Sequence, residues 1–218
     1  MPTYTPLGQS TNAENLAARL RSFYPMAEAE IAGLTSAQMD FSTARWRWGD
    51  WSIRRQVAHM ASLCASWMVD RWGDRLFSKI IPAWYVPIAA LPAAERWQAV
   101  SAGDSAALLA RLKRGLDLAI DVAARESPTA MRAVHVDAEI GNGWKLMGLA
   151  HATGVARDQA NPVVWHITLE GTLRHIYYEQ IAHLYNVQRL KRAQGLPTSA
   201  QIPFEGYWAL DGWDRSEP

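Results

Sequence analysis

The sequence predicts an all-α fold, a four-helix bundle with an irregular insertion before its last helix. Two observations lead to this prediction. Four long segments repeat apolar residues at three- and four-residue spacing, which is the period of a helix packed on one side. Residues that start or stop helices flank these segments, with Ser52 and Asp104 suited to N-caps and Gly195 to the final C-cap.

The first two helices are expected in the first third of the chain. One runs from residue 11 or 12 to about residue 33, where Pro25 should kink or interrupt it. The second follows Ser52 and runs to about residue 72, where Gly73 should end it. The segment between them is rich in turn residues and predicts a connection.

The middle of the chain supplies a third long helix after a proline-rich connection. A short helix is expected near residues 93–100. Asp104 then caps a helix with leucines at 108, 112 and 116, and this helix ends before Pro128 because the residue before a proline disfavours helical backbone. The charged residues of this helix indicate a solvated face.

The last part of the chain is the least regular before it becomes helical. Residues 127–162 fit either a β-hairpin around Gly141-Asn142-Gly143 or a loop over one end of a bundle. After Pro162 about thirty residues carry a helical pattern that closes at Gly195. We therefore expect one domain over residues 12–196, followed by an aromatic tail, residues 197–218, that packs on the domain or on a partner subunit.

Composition excludes several classes of function. The 22 Lys and Arg residues balance 21 Asp and Glu with no basic run, so a nucleic-acid partner is not expected. No signal peptide and no run of 18 apolar residues is visible, which predicts a soluble cytoplasmic protein with no membrane partner. The single cysteine, Cys64, rules out an internal disulfide, and its place in an apolar stripe predicts a thiol of high pKa and poor reactivity.

Glu179 is the residue that most needs an explanation. On a helix Glu179 and His183 lie about 40° apart, and Ile176, Val187 and Leu190 lie on the same face. A carboxylate thus occupies the middle of the apolar face, although the helix has a solvent-facing side, on which Arg174, Gln188 and Arg192 are expected. A Glu and a His four residues apart can present two ligands to one metal ion.

A third ligand would have to come from another helix, and the second helix offers His59 at the edge of its buried face. His59, Glu179 and His183 would leave coordination positions open, which suits catalytic Zn²⁺ and also Fe²⁺ or Ni²⁺. The alternative is structural: Glu179 pairs with an arginine such as Arg55 or Arg111, and His59 is a hydrogen-bonded core residue.

Four other histidines are candidates for the site. His175 lies one turn before Glu179, where it could hold the carboxylate, act as a general acid or base, or serve as a ligand; the first of these is preferred over the ligand role. His135, His151 and His166 are expected to be structural or exposed, with His166 the best of them as a pocket residue.

Two stretches resemble the DinB/YfiT-like superfamily. Residues 51–67, WSIRRQVAHMASLCASW, are similar to the superfamily's second helix, in which a Trp-Ser pattern precedes a metal-binding histidine. EQIAHLYNVQRLKRAQG, residues 179–195, is similar to its closing motif, with Glu179 in place of the first histidine and Tyr185 in place of a glycine. The His, Glu, His set resembles the branch that includes mycothiol-dependent maleylpyruvate isomerase, whose metal is zinc.

The resemblance implies a divalent transition metal held by His59, Glu179 and His183, and a metal-dependent enzyme that activates a water or a low-molecular-weight thiol. Its substrate would be a small molecule, in a thiol-dependent transfer, isomerisation or hydrolysis. Trp51, Trp67 and Tyr178 are the expected walls of the site. The resemblance also implies a homodimer, because many members of the superfamily pair through helix faces. The alternatives are a non-catalytic, stress-associated metal or small-molecule binding module closed by His175, and a bundle that has lost its metal and only mediates assembly.

Overall fold

The structure, a computed structural model, describes residues 11–77, 81–139 and 144–218, and it is mostly helical with one small sheet. The helices are α1 Leu16–Ile31, α2 Ser36–Asp40, α3 Ile53–Ala65, α4 Gly73–Leu76, α5 Val86–Ala89, α6 Ala93–Ser101, α7 Ser105–Arg125, α8 Pro128–Ala133, α9 Trp144–Met147 and α10 Leu169–Ala193. The strands are β1 His135–Glu139, β2 Val155–Arg157 and β3 Val164–Thr168. Within the described ranges, no helix combines the length and the apolar character needed to cross a bilayer.

The core lies between the four longest helices. α3 packs against α7 and α10, and α1 packs against the same two helices. Fully buried side chains such as Phe23, Met60, Leu112 and Ile176 fill the space between them. This arrangement sets α3 beside α10, the two helices that carry the predicted metal ligands.

The predicted caps start two of these helices. The Ser52 side chain accepts a hydrogen bond from the Arg55 backbone N–H at 3.3 Å, and Asp104 accepts from Ala107 N–H at 2.9 Å. α1 continues through Pro25 as one helix. The second predicted helix is divided, however: α3 ends at Ala65, a π-helical segment follows at Ser66–Arg71, and Gly73 begins α4 instead of ending the helical run.

The predicted start of the last helix was wrong, because residues 164–168 form a strand. β3 is the central strand of an antiparallel sheet in the order β1-β3-β2. Its residues alternate, with Trp165 and Ile167 buried and His166 on the other face, and this period of two overrides the helical pattern that continues after it. The Thr168 side chain then caps α10 by accepting from the Gly171 N–H at 3.1 Å. The predicted hairpin turn at 141–143 lies outside the described residues.

α10 is buried on almost every side, which corrects the prediction that Arg174 and Gln188 lie on a wet face. Both are largely buried, with 2% and 7% of their surface exposed. The reason lies in distant parts of the chain: the Arg174 guanidinium donates to the Thr11 carbonyl at 3.1 Å, and the Gln188 amide donates to the Ala200 carbonyl of the C-terminal tail at 2.7 Å. Tyr207 and Trp208 of the tail are buried, and Tyr177 of α10 donates a hydrogen bond to tail residue Glu205 at 2.8 Å.

Candidate metal centre

The three predicted ligands meet between α3 and α10. Nε2 of His59 lies 3.4 Å from Oε2 of Glu179, and Nε2 of His183 lies 3.1 Å from the same oxygen. One donor atom from each of the three residues falls within 4.8 Å of the other two. The carboxylate that looked misplaced in the sequence therefore faces two imidazoles.

These separations suit a transition-metal ion. In a tetrahedral site with zinc–nitrogen and zinc–oxygen bonds of about 2.0–2.2 Å, neighbouring ligand atoms lie about 3.3 Å apart. The 3.4 Å and 3.1 Å contacts lie on either side of that value. Two imidazole nitrogens and one carboxylate oxygen favour Zn²⁺, Ni²⁺ or Fe²⁺ over Mg²⁺ or Ca²⁺, which prefer oxygen ligands.

Gln56 determines which nitrogen of His183 is available. Its carbonyl oxygen Oε1 accepts a hydrogen bond from Nδ1 of His183, and since this oxygen can only accept, Nδ1 must carry the proton. In neutral His183 the lone pair then lies on Nε2, which faces the Glu179 carboxylate. Two acceptors cannot stabilise each other at 3.1 Å, so the contact needs a cation between or a proton on Nε2.

The electrostatics of the site disfavour the proton. Burial is the main reason that the pKa of His183 lies below its usual value, although Glu179 opposes that shift. Burial acts to raise the pKa of Glu179, but the neighbouring imidazoles of His183 and His59 outweigh that effect and hold the pKa well below its usual range. At neutral pH the site therefore offers a carboxylate and a neutral imidazole, the forms that bind metals.

The arginine alternative for Glu179 does not describe the observed contacts. The Arg111 guanidinium donates to the Val100 carbonyl at 3.1 Å, and the Arg55 guanidinium lies 4.3 Å from the centre of the Trp51 ring. Glu179 is 12% exposed, and its carboxylate lies against the two histidines instead.

Trp51 lies against two of the predicted ligands. Its ring stacks on His183 with 5.8 Å between centroids and meets His59 edge-on at 5.3 Å. It comes just before Ser52, the cap of α3, so the same turn that starts the helix places this ring.

Trp67 lies next to His175 rather than next to a ligand. It belongs to the π-helical segment, and its ring meets His175 edge-on at 5.0 Å. Trp144 of α9 contacts the other side, 4.7 Å from His175 by ring centroids. A π-helical segment adds a residue to the turn of a helix, and such segments inside α-helices are frequent at functional sites.

His175 belongs to a buried chain of hydrogen bonds whose direction can be read from its far end. Nε of Arg174, which can only donate, bonds Nδ1 of His151 at 3.1 Å. His151 must then donate from Nε2 to the Tyr207 hydroxyl at 2.8 Å, and Tyr207 donates to Nδ1 of His175 at 2.7 Å. This order leaves the remaining proton of His175 on Nε2, which makes Nε2 a donor and not a metal ligand.

Burial keeps the two histidines and the tyrosine of this chain uncharged. It lowers the pKa of His175 to about 4 and the pKa of His151 well below its usual value. It also raises the pKa of Tyr207 well above its usual range. His175 is therefore uncharged at neutral pH, and its Nε2–H is a hydrogen-bond donor.

Tyr178, the third predicted wall, faces the tail. Its ring lies 5.6 Å from the Tyr207 ring and 5.7 Å from His151. Gly206, with φ +69°, packs so closely on it that a Cβ there would lie 2.5 Å from a ring carbon. Tyr178 thus supports Tyr207. Tyr185 also faces the tail, and its hydroxyl donates to Glu217 at 2.6 Å.

Gln56 and Tyr207 hydrogen-bond to His183 and His175, and the sequence analysis identified neither contact. Gln56 lies one turn before His59, so helix geometry alone would have placed it on the same face. Tyr207 had no such signal, because it reaches the site through tertiary packing of the tail.

Comparison with protein-family models, with curated proteins and with solved structures gave no match. The description of the site therefore depends on its own geometry.

Proposed function

We propose that this protein is a metal-dependent enzyme of DinB/YfiT type, with His59, Glu179 and His183 as the ligands of a Zn²⁺, Ni²⁺ or Fe²⁺ ion, of which zinc is preferred. The observation that carries the proposal is the contact between Nε2 of His183 and Oε2 of Glu179. With Nδ1 committed to Gln56, these two atoms are both acceptors. A cation between them removes the conflict.

The helix packing supports the assignment to a DinB/YfiT-type bundle. Each of α1, α3, α7 and α10 packs against two of the others, which is the adjacency of a four-helix bundle. Histidine from the second long helix and two ligands from the last reproduce the pattern that the motif resemblance implies. The sheet β1-β3-β2 is then the insertion before the last helix.

The proposed chemistry uses a coordination position of the metal ion that the three ligands leave open. A bound ion of this type acts as a Lewis acid and lowers the pKa of a water or a thiol, which makes a nucleophile available near neutral pH. The chain's own residues do the rest: Gln56 orients His183, Trp51 shields the ligands from bulk water, and His175 offers an Nε2–H. We propose that this N–H donates to a small-molecule substrate, with a low-molecular-weight thiol as co-substrate.

The binding-module alternative needs a closed site, in which His175 is a fourth ligand. The hydrogen-bond order runs against it, because Nδ1 of His175 accepts from Tyr207 and Nε2 keeps its proton. The enzyme is accordingly preferred.

Cobalt substitution distinguishes the two functions. Metal-free protein loaded with Co²⁺ is titrated with a small thiol while its absorption spectrum is recorded. The enzyme proposal expects a thiolate-to-cobalt charge-transfer band to grow with thiol concentration, and the band should be missing with the S-methylated form of the same thiol. A tetrahedral cobalt spectrum that does not respond to thiol would indicate a closed, structural site.

A further inference from the structure

A second group of metal-binding side chains lies on the outer face of the sheet, away from the α3–α10 site. Asp137 of β1 is directly opposite His166 of β3. His135 is two residues before Asp137, so the alternation of a strand places all three side chains on one face. Trp165 and Ile167 point to the other face and are buried. The three polar residues therefore share a face that is open to solvent.

The donor atoms on this face converge. Nδ1 of His166 lies 2.8 Å from Oδ1 of Asp137, and Nε2 of His135 lies 3.5 Å from the same oxygen. One donor atom from each residue lies within 4.8 Å of the other two. Two imidazoles and one carboxylate form the same ligand set as His59, Glu179 and His183, here supplied by two strands.

A fourth residue orients His166 as metal ligands are commonly oriented. Oδ2 of Asp158 lies 3.0 Å from Nε2 of His166, on the side of the ring away from Asp137. Asp158 is itself held by the backbone N–H groups of Ala160 and Asn161, both at 2.7 Å. A carboxylate that accepts the proton of one ring nitrogen leaves the lone pair on the other, and this carboxylate–histidine–metal arrangement is typical of zinc sites.

We propose that His135, Asp137 and His166 form a second site for a divalent transition metal such as Zn²⁺, with Asp158 as the positioning residue. Nε2 of His135 and Nδ1 of His166 are the ligand nitrogens. His135 and Asp137 are 53% and 64% exposed, so the remaining coordination position faces solvent. An ion here joins β1 to β3 and stabilises the sheet, and this inference does not depend on the proposed enzyme function.

A zinc titration in the absence of the first site tests the proposal. Protein without a histidine tag and carrying His183→Ala is stripped of metal and titrated with Zn²⁺ against a coloured chelator. The proposal expects one zinc per chain. The double variant His183→Ala, His166→Gln should bind none. The double variant His183→Ala, Asp158→Asn should bind zinc about ten- to a hundredfold more weakly than His183→Ala alone.

Glu139→Gln is the matched control, because Glu139 is the next outward-facing residue of β1. It should leave zinc binding unchanged. The histidine side-chain ¹⁵N shifts of the folded wild type provide a second readout: zinc should move Nδ1 of His166 and Nε2 of His135.

Two results would overturn the inference: no zinc bound by the His183→Ala protein, or the same zinc bound after His166→Gln. Failure of the proposed function has a different signature. In that case wild type and His183→Ala would bind equal amounts of zinc, whatever happens at His166.

Discussion

Replacing Gln56 should weaken metal binding although Gln56 is not a ligand. In the wild type its Oε1 holds the proton of His183 on Nδ1, so the Nε2 lone pair is ready for the ion. In Gln56→Leu the metal-free protein can move that proton to Nε2, where Glu179 accepts it. Metal binding must then return the proton to Nδ1, which has no acceptor left.

The magnitude follows from the burial of this contact. Gln56 is 2% exposed and His183 is 14% exposed, so water replaces the lost acceptor poorly. An unpaired buried N–H costs about 1–3 kcal/mol. Since about 1.4 kcal/mol corresponds to a factor of ten in affinity, we expect Kd for zinc to rise about ten- to a hundredfold, in the range known for residues that orient metal ligands.

The assay is competition for Zn²⁺ with a coloured chelator at neutral pH. Gln56→Glu is the matched variant, because its carboxylate can accept the same Nδ1 proton and should restore binding. Urea denaturation of the metal-free proteins checks that Gln56→Leu is folded. An unchanged Kd in a folded Gln56→Leu protein would refute the argument about the Nδ1 proton.

Three further predictions concern stability and reactivity. Lys191→Met leaves the buried carboxylate of Glu30 without the ammonium that lies 2.6 Å away, so urea denaturation should show a loss of about 3–5 kcal/mol, much of it recovered when Glu30→Gln is added. Burial raises the pKa of Cys64 to about 12, so a chromogenic disulfide reagent at pH 8 should react with it only after the protein unfolds. The folded-state pKa of His175 is about 4 against a usual 6.5; the unfolded chain binds a proton first as the pH falls, so stability should decline between these values by up to about 3 kcal/mol. Acid denaturation of His175→Gln should lack that part of the decline, and an unchanged profile would contradict the assignment.

The helices that could be predicted are those whose signals are local. Ser52 and Asp104 cap α3 and α7 through contacts within three residues, and the spacing of Glu179 and His183 depends only on the geometry of one helix. His59 could be offered as their partner only from its place at the edge of the second helix's buried face, and the motif resemblance then favoured this pairing, because no local rule says which helices are neighbours.

The features that could not be predicted arise from distant parts of the chain. β3 forms because β1 and β2 flank it, whereas its own residues also fit a helical pattern. The helical pattern places Arg174 on the solvent side of α10, but its guanidinium is buried against Thr11, His151 and Thr153 and begins the hydrogen-bond chain that fixes the tautomer of His175. Burial of this kind depends on how the whole molecule packs, so the periodicity of one helix cannot predict it.

The most direct test of the proposed metal centre is the metal content of untagged protein, measured by elemental mass spectrometry for wild type, Glu179→Ala and His183→Ala. Glu28→Ala is the control, since Glu28 is an exposed glutamate on α1. We predict that both site variants hold one transition-metal ion per chain fewer than wild type and the control. Equal metal content in all four proteins, or wild-type protein that cannot be loaded with Zn²⁺, Ni²⁺ or Fe²⁺, would contradict the assignment of these residues as ligands.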